Sequence, residues 1–206
     1  MSRYYIFRPL AGSQADAGPS CGTQYSLEGA CKNCGSGARA VGPLFVSRLH
    51  PPKKPVFSVF GNHDLVEPRV ADALRAIGVD CLEEVREAKS CQQLPYFELR
   101  PTVVLPRFSD KSLGIVREDP CPLCNRDGYF AIPYITYALA YERKDLPFFS
   151  RKKVMATFEW FGNSKLREPF KDSVFAAPLI IINEEVYRVL YNIPVTAIEY
   201  NPVLIC

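Results

Sequence analysis

Short apolar runs, broken every few residues by proline, glycine or charge, cover most of the chain. Tyr4 to Arg8 alternates and predicts a first strand, and Leu44-Phe45-Val46 and Val56 to Phe60 predict two more. From Pro68 the period changes. Val70, Ala73, Leu74 and Ile77 recur at helical spacing, Pro68 suits the first helical position, and Gly78 can end the turn, so a helix is predicted over Pro68 to Ala76. Val79 to Val85 reads as a strand, and Tyr96 to Leu105 as a strand broken near Pro101. Tyr129 to Tyr141 is aromatic-rich and fits neither period. Val154 to Phe161 alternates, and Leu179 to Ile182 is a continuous apolar strand. Asn183 is placed to cap a second helix, with Glu184 and Glu185 in its first turn and Val186, Val189 and Leu190 as its stripe. Val195 to Leu204 closes the chain as a strand. Ala11 to Gly29 reads as loop, and His50 to Pro55 as an extended connector, because proline bars helix and ladder pairing.

Two of these stretches match without a gap when the first is shifted by 116 residues (186 − 70). Leu65 and Val66 fall on Ile181 and Ile182, Val70 on Val186, Leu74 on Leu190, Ile77 on Ile193, Val79 on Val195, Leu82 on Ile198 and Glu83 on Glu199. Both read strand, capped helix, turn, strand. A duplicated unit spanning 65–85 and 181–201 explains the match, and so does the apolar grammar that all such units share. The expected fold is a single α+β domain over 1–206, with two similar strand–helix–strand units.

Composition adds a globular core and many turns, with 48% apolar residues, 18 prolines and 12 glycines. The net charge of +3 and two short basic runs, Lys53-Lys54 and Arg151-Lys152-Lys153, do not by themselves specify nucleic acid. The opening residues lack the apolar run of a secretion signal, and no stretch has the length of a membrane span, so a cytoplasmic protein without a membrane partner is expected.

The eight cysteines change the picture most. Cys31-Lys32-Asn33-Cys34-Gly35 and Cys121-Pro122-Leu123-Cys124-Asn125 are two Cys-x-x-Cys steps. That spacing lets two thiolates on a tight turn face one ion, and Gly35 and Asn125 tolerate the left-handed conformation that closes the turn. Together Cys31, Cys34, Cys121 and Cys124 suffice for a tetrahedral structural zinc ion, a knuckle pair joining segments 86 residues apart (121 − 34 − 1). The same pattern also fits redox dithiols or disulfides, although a reducing compartment favours metal. Cys21, Cys81, Cys91 and Cys206 lack that spacing and read as buried or incidental thiols, with Cys21 also able to compete as a zinc ligand.

Val59-Phe60-Gly61-Asn62-His63-Asp64 resembles the Gly-Asn-His-Asp block of calcineurin-like metallophosphoesterases. That chemistry needs several His and Asp ligands for two metals, and this chain has two histidines in all, His50 and His63. His63 is therefore expected to be an exposed polar turn residue, and no catalytic set is assigned. The two cysteine steps, the first followed by Gly35, and the terminal apolar strand–helix–strand resemble the double-CxxCG family of myxobacterial paralogues, from about Cys31 to Val203. Asn125 stands where that family has a second glycine. The closing unit from Leu179 to Val203 also looks like the end of another immunity family. The resemblance implies a cytoplasmic, non-enzymatic immunity protein of a polymorphic toxin system, which binds and neutralises a cognate toxin. The alternative is a zinc-ribbon-type nucleic-acid binder using Arg126, Tyr129 and Phe130, which the charge disfavours.

Overall fold

The computed structural model describes residues 3–162, 176–194 and 197–206. The first half of the chain forms β1 (Tyr4–Pro9), β2 (Gln24–Ser26), β3 (Arg39–Val41), β4 (Leu44–Val46), β5 (Val56–Val59), β6 (His63–Val66), α1 (Pro68–Ala76) and β7 (Leu82–Glu87). The second half follows the same order with one helical turn added. It forms β8 (Gln93–Leu99), β9 (Ile115–Arg117), β10 (Tyr129–Ala131), β11 (Leu139–Tyr141), the single turn α2 (Leu146–Phe149), β12 (Val154–Phe161), β13 (Ala177–Asn183), α3 (Glu184–Tyr191) and β14 (Ile198–Ile205). The chain is mixed α+β in one domain, mostly sheet.

Two five-stranded sheets carry the fold, ordered β4-β7-β8-β6-β5 and β11-β14-β1-β13-β12. Their strand senses correspond: the edge pairs β4–β7 and β11–β14 are parallel, and the other neighbours are antiparallel. Each sheet takes its central strand from the other half of the chain. β1 sits between β13 and β14, and β8 between β6 and β7. Beyond its exchanged strand the chain returns to its own half, since Gly12 bridges Ser58 beside β5 and Val104 bridges Ala156 beside β12.

The helices are set by their ends. Gly78 lies at φ 80°, where its N–H donates to the Arg75 carbonyl at 2.8 Å and that of Val79 to Leu74 at 3.0 Å, closing the last turn of α1. Asn183 caps α3 by accepting from the Val186 N–H at 3.0 Å. Both helices pack into one central core, in which Val70, Leu74, Val186 and Leu190 are fully buried with Phe7, Val66 and Ile182. Two flanking cores cover the outer faces of the sheets, one around Ile6, Tyr141 and Ile181, the other around Leu44, Phe57 and Leu65.

The match at 116 residues holds through the strands and helices but not into the last strand. Phe97 of β8 pairs with Val66 and Glu84, while Tyr5 of β1 pairs with Ile182 and Pro202. The stations of Glu84 and Pro202 thus correspond at 118 (202 − 84), so the expected matches of Leu82 with Ile198 and Glu83 with Glu199 are two residues out of register. The cause is a longer connection after α3. Val195 lies outside the described residues.

Candidate metal centre

Each cysteine step sits in the loop of a two-stranded hairpin, β2–β3 for the first and β9–β10 for the second. Both turns close alike. The Gly35 N–H donates to the Cys31 carbonyl at 2.8 Å, and the Asn125 N–H to Cys121 at 3.0 Å. Gly35 and Asn125 have φ of 76° and 55°, the left-handed conformation the spacing called for.

The two loops meet sulfur to sulfur. Cys31 Sγ lies 3.8 Å from Cys121 Sγ, Cys34 Sγ lies 3.5 Å from Cys124 Sγ, and all four are within 4.8 Å of one another. A tetrahedral zinc–sulfur shell with bonds of about 2.3 Å has an edge of about 3.8 Å, so the set fits one ion. Each cysteine faces its counterpart 90 residues on, the pattern of a two-fold contact.

The surroundings hold the sulfurs in place. Asn33 Nδ2 donates to Cys121 Sγ at 3.1 Å, and the Cys34 thiol reaches Ser36 Oγ at 3.2 Å. Buried Asp127 accepts the Cys121 N–H at 2.7 Å. Arg117 donates to the Asn125 carbonyl at 2.8 Å and Arg107 to that of Cys124 at 3.4 Å. Burial pushes the Cys34 and Cys124 thiols up, and the neighbouring sulfurs add to this at Cys124. Burial raises Cys121 too, but hydrogen bonds from Asn33 and from the N–H groups of Cys124 and Leu123 outweigh it and bring the thiol to about 6. The Cys121 thiolate is thus stabilised while Cys34 and Cys124 resist ionisation, a conflict that a bound dication would resolve.

Cys21 is not part of this group; its thiol donates to the Asp16 carbonyl at 3.3 Å. Cys81 is buried, and Cys91 and Cys206 are exposed. Nothing in the sequence marked Asp127, Arg107 or Arg117 as supports, because each reaches the loop through folded backbone geometry.

His63 departs from expectation. It opens strand β6, and its ring lies inside a polar network, with Nδ1 2.6 Å from Glu98 Oε1 and Nε2 3.3 Å from the Tyr25 hydroxyl. Glu98 is 4% exposed and also accepts from Arg100 Nε at 2.7 Å. Burial raises the Glu98 carboxyl, yet His63 and Arg100 more than offset that and hold it below its ordinary range. Pairing of β6 with β8 sets Glu98 opposite Leu65, on the face His63 shares. His63 is therefore a half-buried strand residue in a polar network rather than an exposed turn residue. Asp64, on the other face, accepts from Ser58 Oγ at 2.6 Å.

No family model matches this chain, and no curated protein matches it. Among the described residues no helix is long and apolar enough to cross a membrane.

Proposed function

We propose that this chain is a toxin-binding immunity protein, which neutralises a cognate toxin by direct protein–protein binding and is held together by a structural zinc ion on Cys31, Cys34, Cys121 and Cys124. The observation that carries the metal part is the four-sulfur set, in which equivalent cysteines of two remote hairpins face each other at tetrahedral spacing. Four thiolates fill the shell of a zinc ion and leave no open position for a substrate, so the ion serves stability. The binding part rests on the double Cys-x-x-Cys resemblance. It is supported by apolar side chains displayed on the second hairpin and its flanks: Leu113, Leu123, Tyr134 and Ile135 are all more than half exposed. The proposed site of action is the cytoplasm.

Two measurements test it. Metal analysis of protein purified without chelator should give about one zinc per chain; freely titratable thiols and no metal would sink the zinc reading. A pull-down from the native host should recover one toxin, whose toxicity is relieved by co-expression with this chain. No rescue by co-expression would remove the immunity reading.

The nucleic-acid reading has less support. Arg117 lies 4.9 Å from the Tyr129 ring centroid, and Arg107 and Arg126 lie 4.8 and 4.1 Å from that of Phe158. These cations cover aromatic faces on which bases would stack. A salt-dependent electrophoretic shift would restore that reading.

A further inference from the structure

A cavity of about 300 Å³ opens beside the metal centre, where the two halves of the chain meet. Its walls include Arg126, two residues past Cys124, together with Tyr25, Asp64, Val104, Thr157 and Trp160. Most charged groups on these walls already have a hydrogen-bonding partner. Glu98 is paired with Arg100 and hydrogen-bonded with His63, and Asp64 accepts from the Ser58 hydroxyl. Glu28 and Arg39, at the exposed rim, are of opposite sign.

Arg126 differs. Its guanidinium is half-buried and stacks on Phe158, and its Nε donates to the Phe158 carbonyl at 3.2 Å. Its two terminal nitrogens have no hydrogen-bond or ion-pair partner among the described residues. A partly desolvated guanidinium with a free fork is a carboxylate receptor, because the two parallel N–H groups match two carboxylate oxygens. The same cavity is lined by apolar Val104, Ala156 and buried Trp160, whose backbone N–H donates to the Arg126 carbonyl at 2.6 Å. We propose that this cavity binds a small aromatic carboxylic acid, with the carboxylate on Arg126 and the ring against Trp160.

Trp160 is the single tryptophan of the chain and lines this cavity, so its emission reports on that wall. The experiment titrates the full-length, metal-loaded protein with benzoate, benzamide and phenyl phosphate, following Trp160 fluorescence. Benzoate should give a saturable change, and benzamide should bind about tenfold or more weakly for want of the charge-assisted pair. Arg126→Gln should weaken benzoate by a similar factor and Arg126→Lys should recover part of it, with thermal melts confirming that both fold. Val104→Phe, which adds bulk to the cavity wall and leaves Arg126 in the sequence, should abolish binding even where Arg126→Gln fails to fold. The proposal is overturned by an unchanging Trp160 signal, by equal binding of benzamide, or by phenyl phosphate binding about tenfold or more tightly than benzoate. It is also overturned if Arg126→Gln sheds metal but keeps its benzoate affinity, which would make Arg126 a counter-charge of the thiolate centre. None of these outcomes depends on the toxin reading, which the rescue assay decides by itself.

Discussion

Glu159 is a carboxylate sealed in the wall of strand β12, 1% exposed. Its Oε1 accepts the Phe108 N–H at 3.3 Å, and its Oε2 is buried without a partner. Burial pushes the carboxyl up from 4.5 to about 7, against the pull of two backbone N–H groups and of Arg107 and Arg126. Between those values the folded chain keeps a proton that the unfolded chain has released, so stability falls as pH rises through the window, and above about 7 the full penalty stands. Glu159→Gln keeps the shape and the Phe108 bond without the charge. It should raise stability by about 1–3 kcal/mol at pH 8 and by little at pH 5, read from denaturant unfolding at both values. An equal gain at both pH values would disprove the buried-charge account. The sequence hid this residue. In an alternating strand a glutamate reads as solvent-facing, and only the layer packed over β12 turns that position inward.

At the scale of elements, the two helices and the two hairpins each act as pairs. Leu74 and Leu190 are fully buried in the same core, and α1 contacts α3. Leu74→Ala and Leu190→Ala should each cost about 2–5 kcal/mol, and the double variant should depart from additivity because the two sites share that core. Denaturant unfolding of the three variants checks this; a cost below about 1 kcal/mol at either site would contradict the burial. The hairpins are joined by sulfur. Cys31→Ser and Cys121→Ser should lower metal content and melting temperature together, since metal binding is part of the folding energy. Cys21→Ser, outside the cluster, should change neither. Cysteine variants that stay fully stable but lose partner binding would favour thiol chemistry over a structural metal. The helix ends were legible residue by residue, because Pro68, Gly78 and Asn183 act through local backbone geometry. The hairpins around the cysteines were not. Their strands are three residues each, too short for a period to declare itself.

Across the whole molecule, the exchange of central strands ties the halves together. β1 is embedded between strands of the second half, and β8 between strands of the first. Either half alone would therefore leave a sheet without its middle strand. A chain cut in the exposed turn at Lys89–Ser90 should yield fragments that fold only together. Tagging one fragment should co-purify the other from a co-expression host, and each expressed by itself should be insoluble. Independent folding of either fragment would refute the exchanged-strand account. Chelation should loosen the seam between the hairpins and lower the melting temperature of the intact chain.

The cysteine spacing, the two helices with their caps and most of the long strands were set by the sequence itself, since each depends on residues a few positions apart. The alignment of the two halves was decided by the tertiary structure. Equivalent positions lie 90 residues apart at Cys31 and Cys121, 95 at Leu44 and Leu139, 116 at Leu65 and Ile181, and 118 at Val85 and Val203. An ungapped comparison therefore caught one stretch of a correspondence that runs through the whole chain. The largest step falls where 3 residues separate β5 from β6 (63 − 59 − 1) but 15 separate β12 from β13 (177 − 161 − 1). Insertions change the spacing along the chain while strand pairing keeps each residue at its station. For the same reason Glu98, 35 residues from His63, could be recognised as its partner only once β6 and β8 lay side by side.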